Sequence, residues 1–281
     1  MRIKHTIPLC FLGLLLMSTL NSCQSGEPTK EKKPAALQKK TEPNVQRPDK
    51  KKSKHIVLVN IGELGRKGIA KQIRNLRKYN PKVIALDVVF DRDKGPSDTI
   101  LKNAFDEVEQ LVLATKVYEN SRSKPYLFQK DTGNHPKFIS YADIGHVDLI
   151  EKSNIATAIY PQVLVRTDTI PAFGWVVASK YKEGLPKPKG LQPTKIHYSG
   201  NIDHYDVISA EDVLEDDVDE LKKIEGKIVM MGFLGSDLSG MEDIDKYSSP
   251  FNTNLNVKDD PDMFDTIIQA NIVEMFVKGR E

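Results

Sequence analysis

Cysteine is nearly absent from this 281-residue chain, and both copies, Cys10 and Cys23, lie in its first 23 residues. Everything downstream lacks a thiol, which excludes disulfides, thiolate metal sites and a cysteine nucleophile from the body of the protein. Long apolar runs are missing too, since beyond residue 23 none approaches membrane-spanning length. The six histidines (His5, His55, His135, His146, His197 and His204) form no His-x-x-x-His or Glu-x-x-His pair, so there is no zinc signature. Gly62 and Gly65 do not complete G-x-G-x-x-G, and no Walker-type loop occurs. Ser236 sits in Gly232-Phe-Leu-Gly-Ser-Asp237, a strand-to-loop turn rather than a Gly-x-Ser-x-Gly elbow. Nucleotide-dependent and serine-hydrolase chemistry are left without support.

Charge of either sign is in little excess, with 41 Lys and Arg against 39 Asp and Glu, but it is unevenly spread. Residues 1–23 carry +2, residues 24–54 carry ten basic and four acidic groups, and residues 55–281 carry 29 basic and 35 acidic groups. A body of net charge −6 therefore hangs on an arm of +6. A dedicated nucleic-acid binder does not fit, because such a body repels phosphate except at a local basic patch. With 39% hydrophobic residues the chain has enough to bury a core.

The N-terminus reads as an export signal over residues 1–22. Arg2 and Lys4 precede an apolar stretch of twelve residues, Leu9–Leu20, too short to span a bilayer comfortably. Leu20-Asn21-Ser22-Cys23 is similar to a bacterial lipobox, which implies that Cys23 becomes the lipid-bearing first residue of the mature protein. A plain signal anchor and an ordinary cleaved signal are the alternatives. Residues 23–54 then supply a tether. They are rich in Lys, Pro, Glu, Gln and Thr, and Leu37 and Val45 are the only branched apolar residues, so the segment cannot offset the entropy of folding. The run Lys50-Lys51-Lys52-Ser53-Lys54 reads first as a solvated charged spacer; attraction to anionic lipid headgroups is its other reading.

The texture changes at His55, where residues 55–281 are expected to form a single α/β domain: a central mixed, largely parallel sheet flanked by helices. His55–Ile61 reads as a buried strand, Ile69, Ile73 and Leu76 recur at helical spacing, and Lys82–Phe90 is a second buried strand, giving a β-α-β opening. Ser97–Glu109 reads as a helix, Gln110–Thr115 as a strand, and Tyr118–Ser140 as a loop or hairpin excursion. Ala142–Asp148 and Gln162–Arg166 are expected as strands of an antiparallel part, followed by a helix over Pro171–Tyr181 with Pro in its first turn. Trp175, the single tryptophan, reads as packing. Lys195–Tyr198 and Gly226–Gly232 are expected as strands, Ser209-Ala-Glu-Asp212 as a capping box, and Pro261–Lys278 as a final helix closed by Gly279.

Four blocks in this order resemble the CHASE2 domain, an extracytoplasmic sensory module of bacterial receptors. They are Asn80-Pro-Lys-Val-Ile-Ala-Leu-Asp-Val-Val-Phe90; Leu111-Val-Leu-Ala114; Ile196-His-Tyr-Ser-Gly200 with Ile208-Ser-Ala-Glu-Asp-Val-Leu214; and Leu221–Gly232 with Asp245–Pro250 and Met263–Lys278. The chain departs from the pattern at Glu63-Leu-Gly-Arg-Lys67, where such domains carry an aspartate and a Trp-Pro-Arg stretch, and at Asp265 and Gln269, which replace Gly and His.

Asp87, Asp91 and Asp93 fall at or just beyond the end of the second strand, where open α/β sheets place their ligands, and are the ligand-binding candidates together with Asp245 of the acidic cluster Met241–Asp245. The cluster lacks the spacing of a calcium loop, and neither a metal nor a cofactor is expected. Asp91-Arg92-Asp93 is also similar to the D-x-D of haloacid-dehalogenase-like phosphatases, with Leu113-Ala-Thr115 as a second motif, although Gly95 stands where Thr or Val belongs. The sequence thus reads as a non-enzymatic, extracytoplasmic sensory or ligand-binding domain, in the periplasm or on the cell surface. Its expected partners are the membrane, through the lipid on Cys23, and a small molecule or envelope protein, with no nucleic acid. The alternatives are an exported Mg-dependent phosphatase using Asp91 and Asp93, and a structural envelope lipoprotein.

Overall fold

The apolar β-branched run after His55 becomes strand β1 (Ile56–Asn60), buried along its whole length, as a parallel strand covered on both faces must be. The computed structural model describes residues 47–121, 124–131, 133–236, 246–252 and 261–280, all within one unit, Asn44–Glu281. Cys23, the export segment and Asp245 lie outside the described residues.

From β1 the chain runs through α1 (Arg66–Leu76), β2 (Val83–Leu86), α2 (Pro96–Asp106) and β3 (Leu111–Thr115). A hairpin of β4 (Val117–Ser121) and β5 (Lys124–Asp131) follows, then the short helix α3 (Pro136–Ile139) and β6 (Asp143–His146). Next come β7 (Leu149–Lys152), β8 (Ile155–Ile159), β9 (Gln162–Val165), β10 (Asp168–Pro171), α4 (Phe173–Tyr181) and β11 (Thr194–Lys195). The last third comprises β12 (Asp206–Ile208), α5 (Ala210–Glu215), α6 (Val218–Leu221), β13 (Ile228–Gly232), β14 (Lys246–Tyr247), β15 (Met263–Phe264) and α7 (Asp265–Lys278).

Six of these strands form the central sheet, in the order β12-β1-β13-β2-β3-β6, and every neighbouring pair is parallel. Because successive side chains point to opposite faces, each strand feeds two cores. Val57, Val59, Ile84, Leu86, Leu113, Val229 and Met231 face the layer of α1, α2 and α5. Ile56, Leu58, Val83, Ala85, Val112, Ala114, Ile228 and Met230 face α4 and α7. The remaining strands form small separate sheets: β10-β9-β5-β4, antiparallel except for the parallel β5–β9 pair, and the antiparallel β11-β8-β7.

Several local expectations are corrected. Residues 142–148 supply β6, which joins the central sheet beside β3 in parallel instead of an antiparallel part. Pro171 ends β10, and Ala172 precedes α4. β2 stops at Leu86 although the apolar run continues to Phe90. Residues 261–264 form a bend and β15, so the last helix starts at Asp265. The segment read as the end of the tether is held against the body: Asp49 N–H donates to Ser199 O at 2.7 Å and Ser53 N–H to His204 O at 2.7 Å. The capping signals hold. Ser209 Oγ accepts from Asp212 N–H at 3.1 Å, and Gly279 adopts φ 64°, with its N–H bonded to Phe276 O.

Helix α7 is buried on nearly all sides, Thr266 through Val277 being inaccessible. Its polar residues are correspondingly satisfied by distant loops. Gln269 Nε2 donates to Val147 O at 3.0 Å, while Asn271 accepts from Ser199 and Gly200 N–H at 2.6 and 3.1 Å and donates to Gly200 O. Glu274 accepts from Ser53 Oγ at 3.1 Å and His204 Nε2 at 3.0 Å, with Lys278 Nζ at 3.0 Å. Burial alone pushes the Glu274 carboxyl up, but the hydrogen bonds and charges of His204 and Lys278 outweigh it and bring it down to about 2. A carboxyl depressed in this way adds stability above the ordinary carboxylate range, and that stability is lost as pH falls toward about 2.

α4 crosses α7 at Gly174, where an added Cβ would lie 2.5 Å from Ile272 Cγ2 and 3.1 Å from the Val273 nitrogen. Gly174→Ala is expected to lose about 1–3 kcal/mol through overpacking, more than its gain in helix propensity returns. Urea unfolding of the two proteins checks this, and an unchanged or higher midpoint would contradict the close crossing.

Candidate functional site

At the carboxyl edge of the sheet the strand order places β13 between β1 and β2, so the loops after these strands diverge and leave a crevice. A cleft of about 300 Å³ opens there, lined by Asp87, Val89, Asp91, Lys116, Tyr118, Val147, Phe233, Asp265 and Thr266. Its floor is the start of α7. Thr266 Oγ1 donates to Asp87 Oδ2 at 2.9 Å, and Asp87 N–H donates to Met231 O at 2.8 Å, tying the end of β2 to β13 and α7 together. Gly232 closes β13 directly against that helix, where a Cβ would overlap Thr266 Oγ1. Asn60 does the same work beside it: its Oδ1 accepts from Gly62 and Leu234 N–H at 3.0 and 2.9 Å, and its Nδ2 donates to Gly235 O at 2.8 Å.

The expected site residues separate. Asp87 and Asp91 both line the cleft, the first half-buried and the second exposed beside Arg92. Asp93 is not part of the lining. Its Oδ1 accepts from Gly95 N–H at 2.8 Å and its Oδ2 from Lys137 Nζ at 2.5 Å, and the lysine's hydrogen bond first, then the Gly95 bond, hold its carboxyl far below the ordinary range. The pair Asp91 and Asp93, which a haloacid-dehalogenase-like site needs converged on one phosphate, is thus not brought together. Two further lining residues are Asp265, marked in the sequence only as a departure from the family pattern, and Lys116, which was not singled out. Among the described residues, no three His, Cys, Asp or Glu side chains converge closely enough to hold a metal ion.

The loop bearing Asp91 is fixed by a buried ion pair. Arg66, in the first turn of α1, donates to Asp98 of α2 and to the Arg92 carbonyl, and its guanidinium lies 5.7 and 5.3 Å from the ring centroids of Phe90 and Phe138. Asp98 also accepts from Lys94 N–H at 3.0 Å. Asn134 bridges Phe90 N–H and Ala114 O, at 2.8 and 2.9 Å. The loop is therefore a rigid wall, and the shortened Glu63-Leu-Gly-Arg66 stretch has a structural use for its arginine. Trp175 packs on the core and donates from Nε1 to Pro186 O at 2.9 Å.

On the flank of the cleft, Asp148 accepts from Val117 N–H at 3.1 Å, and burial pushes its carboxyl up to about 6. Neighbouring His146 donates from Nε2 to Tyr160 O at 3.0 Å, and burial drives its imidazole down to about 4.

The CHASE2 domain family model matches residues 45–280, that is, the described body nearly end to end. No curated protein and no solved structure matches the chain.

The raised Asp148 carboxyl gives a pH signature. Below about pH 4 it is protonated whether folded or unfolded; as pH rises through about 6 the folded protein must hold a partly buried charge that the unfolded chain solvates freely. Asp148→Asn keeps the acceptor for Val117 and should stabilise the protein by about 1–2 kcal/mol at pH 7.5, an advantage that vanishes near pH 4. Denaturant titrations at the two pH values test this, and an equal difference at both would refute it.

Proposed function

The chain belongs to the CHASE2 family, whose members are extracytoplasmic sensory domains, and from that premise we propose that it recognises a small polar, cationic molecule in the cleft at the carboxyl edge of its sheet. The observation that carries this reading is the cleft's charge: three carboxylates, Asp87, Asp91 and Asp265, face one lysine, Lys116. Its volume of about 300 Å³ suits a metabolite the size of an amino acid or a short polyamine. The role is recognition without chemistry. A ligand bound to Asp265 and Thr266 touches the first turn of α7. That helix, roughly 21 Å long at 1.5 Å per residue, ends where Glu274 and Lys278 hold the incoming segment at Ser53 and Asp49. Binding at one end biases the arrangement at the other by its differential affinity for the two arrangements.

The domain is further proposed to be held outside the cytoplasmic membrane by a lipid on Cys23 and the tether that follows. Among the described residues no helix is long and apolar enough to cross a membrane; the export segment ending at Cys23 is what supports the proposed attachment.

Two experiments test these readings. In thermal unfolding with a panel of amino acids and polyamines, a cationic compound should raise the midpoint in proportion to the logarithm of its concentration, by about 5 °C or more at ~100-fold above its dissociation constant. Asp87→Asn, which keeps the Thr266 bond, should abolish that shift. If only anionic compounds stabilise the protein, or if Asp87→Asn responds like the parent, the cleft assignment is wrong. For the anchor, Cys23→Ser is expected to move the protein from the membrane to the soluble fraction and to remove labelled fatty acid; membrane fractionation unchanged, with no label on the parent protein, would exclude lipidation.

A further inference from the structure

At the opposite edge of the sheet, where β1 and β2 begin and α4 and α7 end, two adjoining concavities of about 370 and 670 Å³ share His55 and Lys278 as a common border. Together they form one face with eight basic side chains and three acidic ones. Glu274 pairs with Lys278, and Asp49 with Lys278 and Arg280, while Lys52 pairs with Asp206 at 3.0 Å, so Lys50, Lys51, Lys54, Lys82 and Lys182 are the basic groups left to set the charge of the face. Glu183 is the third acid. The basic groups come from four separate stretches of chain, with Lys50, Lys51 and Lys54 from the incoming segment, Lys82 ahead of β2, Lys182 after α4 and Arg280 after α7. Lys50, Lys51, Lys52 and Lys54 belong to the +6 arm, whereas Lys82, Lys182, Lys278 and Arg280 stand on residues 55–281, whose charges sum to −6, so the body's share of the face is a local segregation of base.

We propose that this face docks the domain on an anionic phospholipid surface. Three features favour lipid headgroups as the occupant. The face is broad and shallow, which suits many phosphates in a plane better than one enclosed anion. Its lysines end in flexible, hydrated ammonium groups that act as point charges without the bidentate geometry of a dedicated phosphate pocket. The chain leaves toward its N-terminal segment from this same face, since Asp49 is tied to Lys278 at 3.1 Å and Ser53 to Glu274 at 3.1 Å. Each lysine close to an anionic bilayer contributes cooperatively to binding, and salt weakens the attraction. With this face on the membrane, the acidic cleft at the far end of α7 opens toward solution. The inference is independent of any ligand in that cleft and of acylation at Cys23.

The test uses the chain from Gln24 onward, which keeps every described residue and carries no acyl-acceptor cysteine. In co-sedimentation at low salt it should bind phosphatidylcholine vesicles containing about 30 mol % phosphatidylglycerol and leave pure phosphatidylcholine vesicles unbound. Lys82→Glu/Lys182→Glu, which spares the tether, should weaken binding about tenfold or more. Arg92→Glu/Lys94→Glu, the same change of net charge at the other edge of the sheet, should bind as the parent does. Equal binding by the first pair, or equal loss with the second, overturns the proposal. So does failure of the parent to bind anionic vesicles. Release of bound protein by about 10 mM inorganic phosphate at matched ionic strength would reassign the face to free phosphate and overturn it likewise.

Discussion

The structure depends on one constraint: a helix with an alanine, aliphatic and aromatic surface that also carries four polar side chains is buried almost completely. An unpaired polar atom in such a place costs about 1–3 kcal/mol, so α7 can be buried only if loops elsewhere in the chain come to meet it. Thr266 meets Asp87, Gln269 meets Val147, Asn271 meets the Ser199-Gly200 turn, and Glu274 meets Ser53 and His204. The partners lie up to 221 residues away in sequence. Each bond pins a different loop at a different height along one rod, which makes the helix the reference against which both edges of the sheet are set.

A second buried arrangement fixes what the helix does not reach. The pair of Arg66 and Asp98 is worth little as attraction alone, since two charges have been taken out of water to make it. Its value is positional. With one guanidinium hydrogen bond spent on the Arg92 carbonyl and its faces against Phe90 and Phe138, the loop from Asp87 to Gly95 has few other conformations open to it. That rigidity decides the roles of neighbouring aspartates, so that Asp91 stands in the cleft while Asp93, two residues on, is committed to Lys137.

What was legible in the sequence follows the same division between local and distant causes. Strands β1, β3 and β13 were readable because both faces are buried and the run of apolar residues is unbroken; the caps at Ser209 and Gly279 were readable because their partners are three residues away. Asp87 and Asp91 could be placed from strand order alone, by the rule that ligands gather beyond the carboxyl ends of parallel strands. The end of β2 was not readable, because Val88 to Phe90 are as apolar as the strand before them but are placed for other reasons: Phe90 is buried against α2 and α3 beneath Arg66, Val88 packs partly on the same core, and Val89 lines the cleft. The parallel pairing of β6 was hidden, since Asp143 and Gly145 dilute its pattern and nothing local names β3 as its neighbour. Asp265 stood out only as a departure from the family pattern inside a helix read from Pro261; the helix starts at Asp265 itself, and the packing of Gly232 of β13 on Thr266 puts this first turn in the wall of the cleft.

The near-neutral total of the chain now has a spatial meaning. Within the folded body acid gathers at the carboxyl edge of the sheet and base at the amino edge, with α7 running from one to the other. The helix dipole supports this arrangement at both ends, since Asp265 sits in its first turn and Lys278 in its last. The cleft and the basic face proposed above stand at opposite ends of this helix, roughly 21 Å long and so well beyond a Debye length of about 8 Å at physiological salt. Any coupling between two such proposed sites would therefore have to pass through α7 and the loops its polar residues hold, rather than through solvent.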